Sequence, residues 1–181
     1  VWLTEAGGKR LIDGMAGLWC MNVGYGRTEI VEAIARQLHQ LPYYNTFFQC
    51  THAPAAEFST ALSELAPAHM NRVFFTNSGS EANDTNLRLV QRYYDLLGKP
   101  EKIHIISRKN AYHGSTIAAG SLGGMSAMHA QTRGLGYIHH INQPHWFAEG
   151  GDDSPEDFGI RVARELEAKI DELGEDKVAA F

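Results

Sequence analysis

Residues 73–83 constrain the fold of this chain more than any other stretch, because they pass from an apolar run through a small polar turn into a helix start. The apolar run, Val73-Phe74-Phe75, predicts a strand. A helix start exposes backbone N–H groups and suits an anion such as phosphate. Gly79 would let the anion approach the backbone, while Ser78 and Ser80 offer hydroxyl donors. The same residues suit an ordinary turn and helix cap, so this stretch alone leaves both interpretations open.

The hydrophobic pattern alternates between strand and helix along the chain. It predicts a hairpin near residues 2–12, helices near 28–41, 54–66, 80–97 and 155–173, and strands at 73–75, 103–106, 137–141 and 178–181. Strands separated by helices indicate an α/β fold with a mostly parallel sheet. Ligands of such sheets bind beyond the carboxyl ends of the strands. The loops at residues 77–80 and 108–115 are therefore expected to share a site.

Composition excludes several classes of partner. The 181 residues suffice for one sizeable core, and a net charge of −5 with scattered basic residues argues against nucleic acid. Two isolated cysteines, Cys20 and Cys50, favour a reducing compartment. Because no signal peptide or membrane-length apolar run is present, we expect a cytoplasmic protein without a membrane partner. The chain has no initiator Met and ends inside a predicted strand, so we expect it to be part of a longer protein.

A second motif, Tyr112-His113-Gly114, follows the next predicted strand. A tyrosine beside a phosphate loop could stack on a flat ring, although a lone Tyr can also be a half-buried core aromatic. The chain contains neither G-x-x-x-x-G-K-[ST] nor G-x-G-x-x-G, so common nucleotide motifs do not fit. A phosphate attached to a flat ring without these motifs favours pyridoxal phosphate (PLP).

Segment Thr76–Ala82, with Tyr112–Gly114 about thirty residues later, resembles the class III aminotransferases, which are PLP enzymes of fold type I. Gly17–Arg27 and Leu41–Phe48 resemble the ω-amino acid or amine:pyruvate transaminase branch. The resemblance covers essentially the whole chain. It implies an α/β fold type I PLP-dependent transferase that is present in part. Residues 1–45 would be an N-terminal small-domain segment and residues 46–181 the first part of the large PLP-binding domain.

The resemblance also implies the site residues and the reaction. The implied cofactor-binding residues are Ser78, Gly79, Ser80, Tyr112, His113 and Gly114, and the implied substrate-pocket residues are Leu18, Trp19, Cys20, Phe47 and Phe48. Tyr112 would stack on the pyridine ring, and Phe47 or Phe48 would reach the neighbouring subunit's site in a homodimer. Without the motifs, these aromatics could equally be core residues. The reaction would move an amino group from an amine or ω-amino acid to a keto acid such as pyruvate.

Two catalytic groups are missing from the sequence. Transamination needs a lysine that forms a Schiff base with the cofactor and a carboxylate that pairs with the pyridine nitrogen. None of the lysines lies in an apolar setting; they are Lys9, Lys99, Lys102, Lys109, Lys169 and Lys177. By the resemblance, both groups follow residue 181. We therefore expect no catalytic residue here and no activity from residues 1–181 alone.

Other interpretations remain open at this point. A different class III enzyme (a diamine-forming biosynthetic transaminase or an aminomutase) would share these motifs, and a non-catalytic phosphate-binding module would share the loop. The histidines His129, His139, His140 and His145 match no known zinc spacing, so no metal is predicted. Asn83-Asp84-Thr85 matches a glycosylation sequon but falls on a predicted helix and is discounted. The Glu81 carboxylate, at the same helix start, is expected to turn away from a bound phosphate.

Overall fold

Short strands and longer helices alternate through residues 1–181, all of which are described by a computed structural model. The chain divides into two units, Val1–Val73 and Phe74–Phe181. The first unit contains β1 (Trp2–Thr4), β2 (Arg10–Ile12), α1 (Ala16–Trp19), α2 (Thr28–Gln40) and α3 (Ala53–Leu65). The second contains α4 (Gly79–Leu96), β3 (His104–Arg108), α5 (Ile117–Leu122), α6 (Ser126–His129), β4 (Ile138–Ile141), α7 (Trp146–Glu149), α8 (Pro155–Leu173) and β5 (Val178–Ala180).

The first unit begins with the predicted hairpin. Strands β1 and β2 pair antiparallel, with Trp2 opposite Ile12, and the turn between them places Gly8 at a φ of +84°. Element α1 follows as a single turn whose backbone is left-handed, with φ/ψ of 58°/46° at Gly17 and 59°/51° at Leu18. Left-handed turns are strained for residues that carry a Cβ, so α1 is an irregular feature that sequence patterns do not predict.

The second unit is built on a three-stranded parallel sheet. Its strand order is β4-β3-β5, so the predicted strands near residues 103–106, 137–141 and 178–181 are all present. The predicted α/β class is therefore confirmed. Helix α8 starts where Ser154 caps it, its Oγ accepting from the Asp157 amide at 3.1 Å, and Pro155 occupies the first turn. Gly174, at a φ of +93°, ends it.

The predicted strand at Val73–Phe75 is wrong. These residues carry no regular secondary structure, and the strands of the sheet pair only among β3, β4 and β5. An apolar run becomes a strand only when a neighbour accepts and donates its backbone hydrogen bonds. The helix predicted directly after it is confirmed, since α4 begins at Gly79.

Helices cover both faces of the parallel sheet. On one face, Ile105 and Ile138 form a core cluster with Leu87 of α4, and α5 packs against it through Ala118 and Leu122. On the other face, α8 contacts β3 and β4. The buried Ile106 points to that second face, because neighbouring side chains of a strand alternate. The carboxyl ends of β3 and β4 therefore open into loops that lie between two helical layers. No helix of the chain is both long and apolar enough to cross a membrane.

Histidines of the second unit associate in pairs. His139 Nε2 lies 3.0 Å from His104 Nδ1, and the rings of His129 and His140 are 5.2 Å apart. No three His, Cys, Asp or Glu side chains of residues 1–181 converge as a metal site would require. Burial, with the nearby His104 and Lys169 adding to it, lowers the pKa of His139 below its ordinary value of 6.5. The neutral form of the His139 ring is therefore favoured in the folded protein.

This pair predicts a loss of stability in acid. A pKa that is lower in the folded state means that the unfolded chain binds more protons, so the stabilisation is complete above pH 6.5 and is lost as the pH falls through the folded value. We expect the urea midpoint of the full-length protein to be lower at pH 5.5 than at pH 7.5, and His139→Gln to reduce that difference. His69→Gln, at an exposed histidine, is the matched control and should leave the difference unchanged. Equal pH sensitivity in wild type and His139→Gln would contradict this assignment.

Candidate functional site

The start of α4 is capped and still has unused hydrogen-bond donors. Ser78 is the N-cap residue, and its Oγ accepts from the Glu81 amide at 3.1 Å while its carbonyl accepts from the Ala82 amide at 3.0 Å. The amides of Gly79 and Ser80 find no acceptor within the chain. The cap and the anion interpretations are therefore compatible, since the cap uses the later amides and leaves the first two for a ligand.

The Glu81 carboxylate folds back away from those two amides. Its Oε2 accepts from the Asn77 amide at 2.8 Å and from Asn77 Nδ2 at 3.2 Å. In a capping box the carboxylate accepts from the amide of the N-cap residue, which is Ser78 here. The Glu81 carboxylate accepts instead from the amide of Asn77, the residue before the N-cap. No hydrogen bond joins it to Gly79 or Ser80, as expected for a helix start that is to receive another anion.

The loop after β3 meets the start of α4 at Ser80. The Ser115 amide donates to Ser80 Oγ at 3.1 Å. Gly114 has a φ of +132°, and a Cβ built on it would lie 2.5 Å from Ser80 Oγ and 2.7 Å from Ala119 Cβ. Only glycine fits such a backbone in such a space. The structure thus confirms that the two loops following residues 76 and 108 come together.

The side chains of Asn83 and Asp84 in α4 form hydrogen bonds with the loop that follows β3. Asn83 Nδ2 donates to the His113 carbonyl at 2.7 Å, and Thr116 Oγ1 donates to Asp84 Oδ1 at 2.6 Å. Sequence reasoning considered Asn83 only as part of a sequon and missed this role. The available signal was helical spacing, because residues three and four after Ser80 lie on the same face of a helix.

These contacts leave four donors for a ligand and no charged one. Ser78 Oγ and Ser80 Oγ each accept from one backbone amide and donate to no group of the chain, so each hydroxyl hydrogen is available to a ligand. The amides of Gly79 and Ser80 supply the other two donors. Tyr112 is 65% exposed, so it is not the core aromatic that was considered as an alternative. An exposed aromatic ring, carried by the same loop whose Gly114 and Ser115 meet Ser80, fits a ligand that combines a phosphate with a flat ring.

The residues implied for the substrate pocket lie in the first unit and are exposed. Leu18 and Trp19 belong to the left-handed turn α1, and the Cys20 Sγ lies 3.4 Å from the Leu18 carbonyl. Phe47 and Phe48 form a tilted pair with centroids 6.5 Å apart, and Phe48 has a φ of +55°. Phe48 is 92% exposed and Trp19 is 71% exposed, so neither is a core residue within this chain.

Lys109, the lysine nearest the two loops in sequence, is held in a polar network. Its Nζ donates to Asn142 Oδ1 at 2.8 Å, and Asn142 donates through its amide N and Nδ2 to the Glu165 carboxylate at 3.0 and 2.9 Å. Burial raises the pKa of Glu165, but the two Asn142 hydrogen bonds and the Lys109 charge outweigh it and hold the pKa below its ordinary value. Lys109 therefore serves as the cation of a structural network that links the loops after β3 and β4 to α8.

Known proteins match the chain over its whole length. A family model described as Aminotransferase class-III matches residues 1–181. The putrescine–pyruvate aminotransferase of Pseudomonas aeruginosa strain PAO1 is 53% identical over 100% of this chain and 40% of that protein, and the vanillin aminotransferase of Capsicum chinense is 39% identical over 99% and 40%. The crystal structure of an (S)-enantioselective omega-transaminase from Thermomicrobium roseum superposes with a TM-score of 0.92 and 36% identity, over 100% of this chain and 41% of that one. The chain thus spans about two-fifths of the length of these relatives.

Proposed function

The chain belongs to the class III aminotransferase family, and from that membership we propose that it is part of a PLP-dependent enzyme that moves an amino group from an amine or ω-amino acid to a keto acid such as pyruvate. The expected family and fold are confirmed, because the chain has the α/β fold of the corresponding part of fold type I transaminases. The observation that supports the cofactor is the start of α4, where two amides and two hydroxyls remain free to bind a phosphate and which the loop that carries the exposed Tyr112 meets at Ser80.

The proposed cofactor site assigns each residue a separate task. The amides of Gly79 and Ser80, with the hydroxyls of Ser78 and Ser80, would bind the phosphate, and Tyr112 would stack on the pyridine ring. When bound, PLP supplies an electron sink for the substrate's reacting carbon. His113 would lie beside the ring, while Gly114 would let the loop approach Ser80. The chain's own contribution is therefore to bind and orient the cofactor, not to exchange protons with the substrate.

The proposed substrate pocket uses the exposed apolar residues of the first unit, which are Leu18, Trp19, Cys20, Phe47 and Phe48. Such side chains suit the apolar stem of an amine whose reacting nitrogen is terminal. The relative with 53% identity is named for putrescine and pyruvate, so a terminal diamine is the first donor to test and pyruvate the first acceptor.

The wider setting of the enzyme is also a proposal. We assign residues 1–45 to a small-domain segment and residues 46–181 to the first part of the large PLP-binding domain. We place the active site at the interface of a homodimer, which would cover the exposed Phe47 and Phe48. Two free cysteines, Cys20 and Cys50, support a cytoplasmic location.

The test uses the full-length protein loaded with PLP. We expect alanine to form from pyruvate when putrescine or a short ω-amino acid is the donor, and light scattering to report a dimer. Residues 1–181 alone, given the same reagents, should form no alanine, because the lysine and carboxylate of transamination lie outside them. If the PLP-loaded full-length protein formed no alanine with any of these donors, the proposed reaction would be wrong.

A further inference from the structure

We propose that Asp13 is a positioning residue whose carboxylate holds α1 in its left-handed turn and thereby determines which amines the enzyme accepts. The inference rests on the proposed function, because Leu18 and Trp19 of α1 are pocket residues only in that proposal. Asp13 itself would not touch the substrate. It would act through the backbone that carries those two side chains.

The backbone of α1 is strained over four successive residues. Ala16, Gly17, Leu18 and Trp19 have φ values of 48°, 58°, 59° and 63°. Three of the four carry a Cβ, and a left-handed turn is unfavourable for such residues because the Cβ approaches the following carbonyl oxygen. A turn of this kind persists only when surrounding contacts fix it, and such strain is concentrated at functional sites.

The contacts that fix the turn converge on Asp13. Its Oδ1 accepts from the Met15 amide at 2.9 Å and its Oδ2 accepts from the Gly17 amide at 3.1 Å. Met15 and Gly17 flank Ala16, so the single carboxylate of Asp13 fixes the backbone on both sides of Ala16, where the left-handed turn begins. Backbone bonds from Trp19 to Met15 at 2.8 Å and from Met21 to Ala16 at 2.9 Å then close it.

The Tyr25 side chain contacts the turn at Gly17. A Cβ built on Gly17 would collide with the Tyr25 hydroxyl, so the turn and this ring are in close contact. The hydrogen bond from the Met15 amide is the largest cause that lowers the pKa of Asp13 below its ordinary value of 3.8; burial, the next largest, opposes it, and the Gly17 amide and the nearby Tyr25 hydroxyl reinforce the lowering. The carboxylate is therefore ionised at neutral pH and is a strong acceptor for the Met15 and Gly17 amides.

Stability of the first unit does not account for this arrangement. The turn presents Leu18 and Trp19 at 62% and 71% exposure, so neither side chain gains from burial within the chain. A right-handed backbone would relieve the strain but would point both side chains elsewhere. The carboxylate of Asp13 thus selects the direction in which two large apolar side chains face a substrate.

The test compares Asp13→Asn with Asp171→Asn in the full-length enzyme. Asn keeps one acceptor oxygen but places an NH₂ group against a backbone N–H, so one end of the turn is released. We expect the ratio of kcat/KM for an aromatic amine to that for putrescine to change about tenfold, with PLP content unchanged. Asp171, which is exposed on α8, is the matched control and should leave the ratio unchanged. Tyr25→Phe, which removes only the hydroxyl that lies against Gly17 and adds to the lowered pKa of Asp13, should change the ratio in the same direction by less, and it remains informative if Asp13→Asn folds poorly.

A second readout does not depend on catalysis. The protein is labelled with fluorinated tryptophan, and the Trp19 resonance is identified by its loss in Trp19→Phe. We expect this resonance to shift in Asp13→Asn and to stay in place in Asp171→Asn. An unshifted Trp19 resonance, or an unchanged donor ratio in an active Asp13→Asn enzyme, would overturn the inference. A wild-type enzyme that forms no alanine would instead refute the proposed function, and the two failures are thus distinguishable.

Discussion

Gly114→Ala is expected to prevent PLP loading of the full-length enzyme and to lower its melting temperature. A backbone φ of +132° is almost restricted to glycine, and forcing an alanine into it costs about 1–3 kcal/mol. The added Cβ would also overlap Ser80 Oγ at 2.5 Å and Ser80 Cα at 2.9 Å, which adds roughly another 1–3 kcal/mol of overpacking. The added Cβ would displace Ser80, whose amide and hydroxyl are both proposed to bind the phosphate, so the substitution disturbs the phosphate donors directly.

Gly136→Ala is the matched control for this prediction. A Cβ on Gly136 meets no atom within 4 Å and its φ is not positive, so the substitution should leave both PLP content and melting temperature close to wild type. The measurements are PLP absorbance after dialysis and thermal unfolding followed by circular dichroism. If the Gly114→Ala enzyme retained as much PLP as the wild type, the close packing of Gly114 against Ser80 would be unimportant for cofactor binding.

Gly79→Asp is expected to separate helix stability from phosphate binding. Gly79 is the first residue of α4, a Cβ there meets no atom within 4 Å, and its φ is not positive. Replacing Gly in a helix gains up to about 1 kcal/mol, and a carboxylate in the first turn gains about 0.3–1 kcal/mol from the helix dipole. The same carboxylate would repel the phosphate, so we expect PLP affinity to fall about a hundredfold while the melting temperature of the apoenzyme stays equal or rises.

Gly79→Asn isolates the charge, since asparagine has nearly the same shape as aspartate and no charge. We expect it to weaken PLP binding clearly less than Gly79→Asp does. Affinity is measured by titrating the apoenzyme with PLP and following absorbance, at one ionic strength for all variants. Equal affinities for Gly79→Asp and wild type would mean that α4 is merely capped at this end and that the phosphate binds elsewhere.

Local patterns were sufficient to predict the part of the fold that depends on near neighbours. The start of α4 followed from helix-cap chemistry. The approach of the 108–115 loop was predicted from the rule that loops at the carboxyl ends of parallel strands share an edge, and it is found although residues 73–75 form no strand. The strand expected at Val73–Phe75 failed because a strand is defined by its hydrogen-bonded neighbour, which no local pattern reveals.

Other features depend on contacts that only the folded chain shows. Nothing in the residues Ala16, Leu18 or Trp19 favours a left-handed backbone, and the turn becomes understandable only when the Asp13 carboxylate is seen to accept from Met15 and Gly17. The same is true of Asn83, whose amide reaches the His113 carbonyl thirty positions away in the chain.

The uncharged donors at the start of α4 have a consequence for how a cofactor would be retained. Amides and hydroxyls carry no counterions and do not titrate near neutral pH, so their hold on a phosphate is little affected by salt that would screen a lysine or arginine. They also have fixed directions, because a helix fixes the amides of Gly79 and Ser80 and backbone amides fix the two serine oxygens. Such a site distinguishes anions by the placement of their oxygens and not by their net charge. An enzyme built on it would keep its cofactor across a wide range of ionic strength.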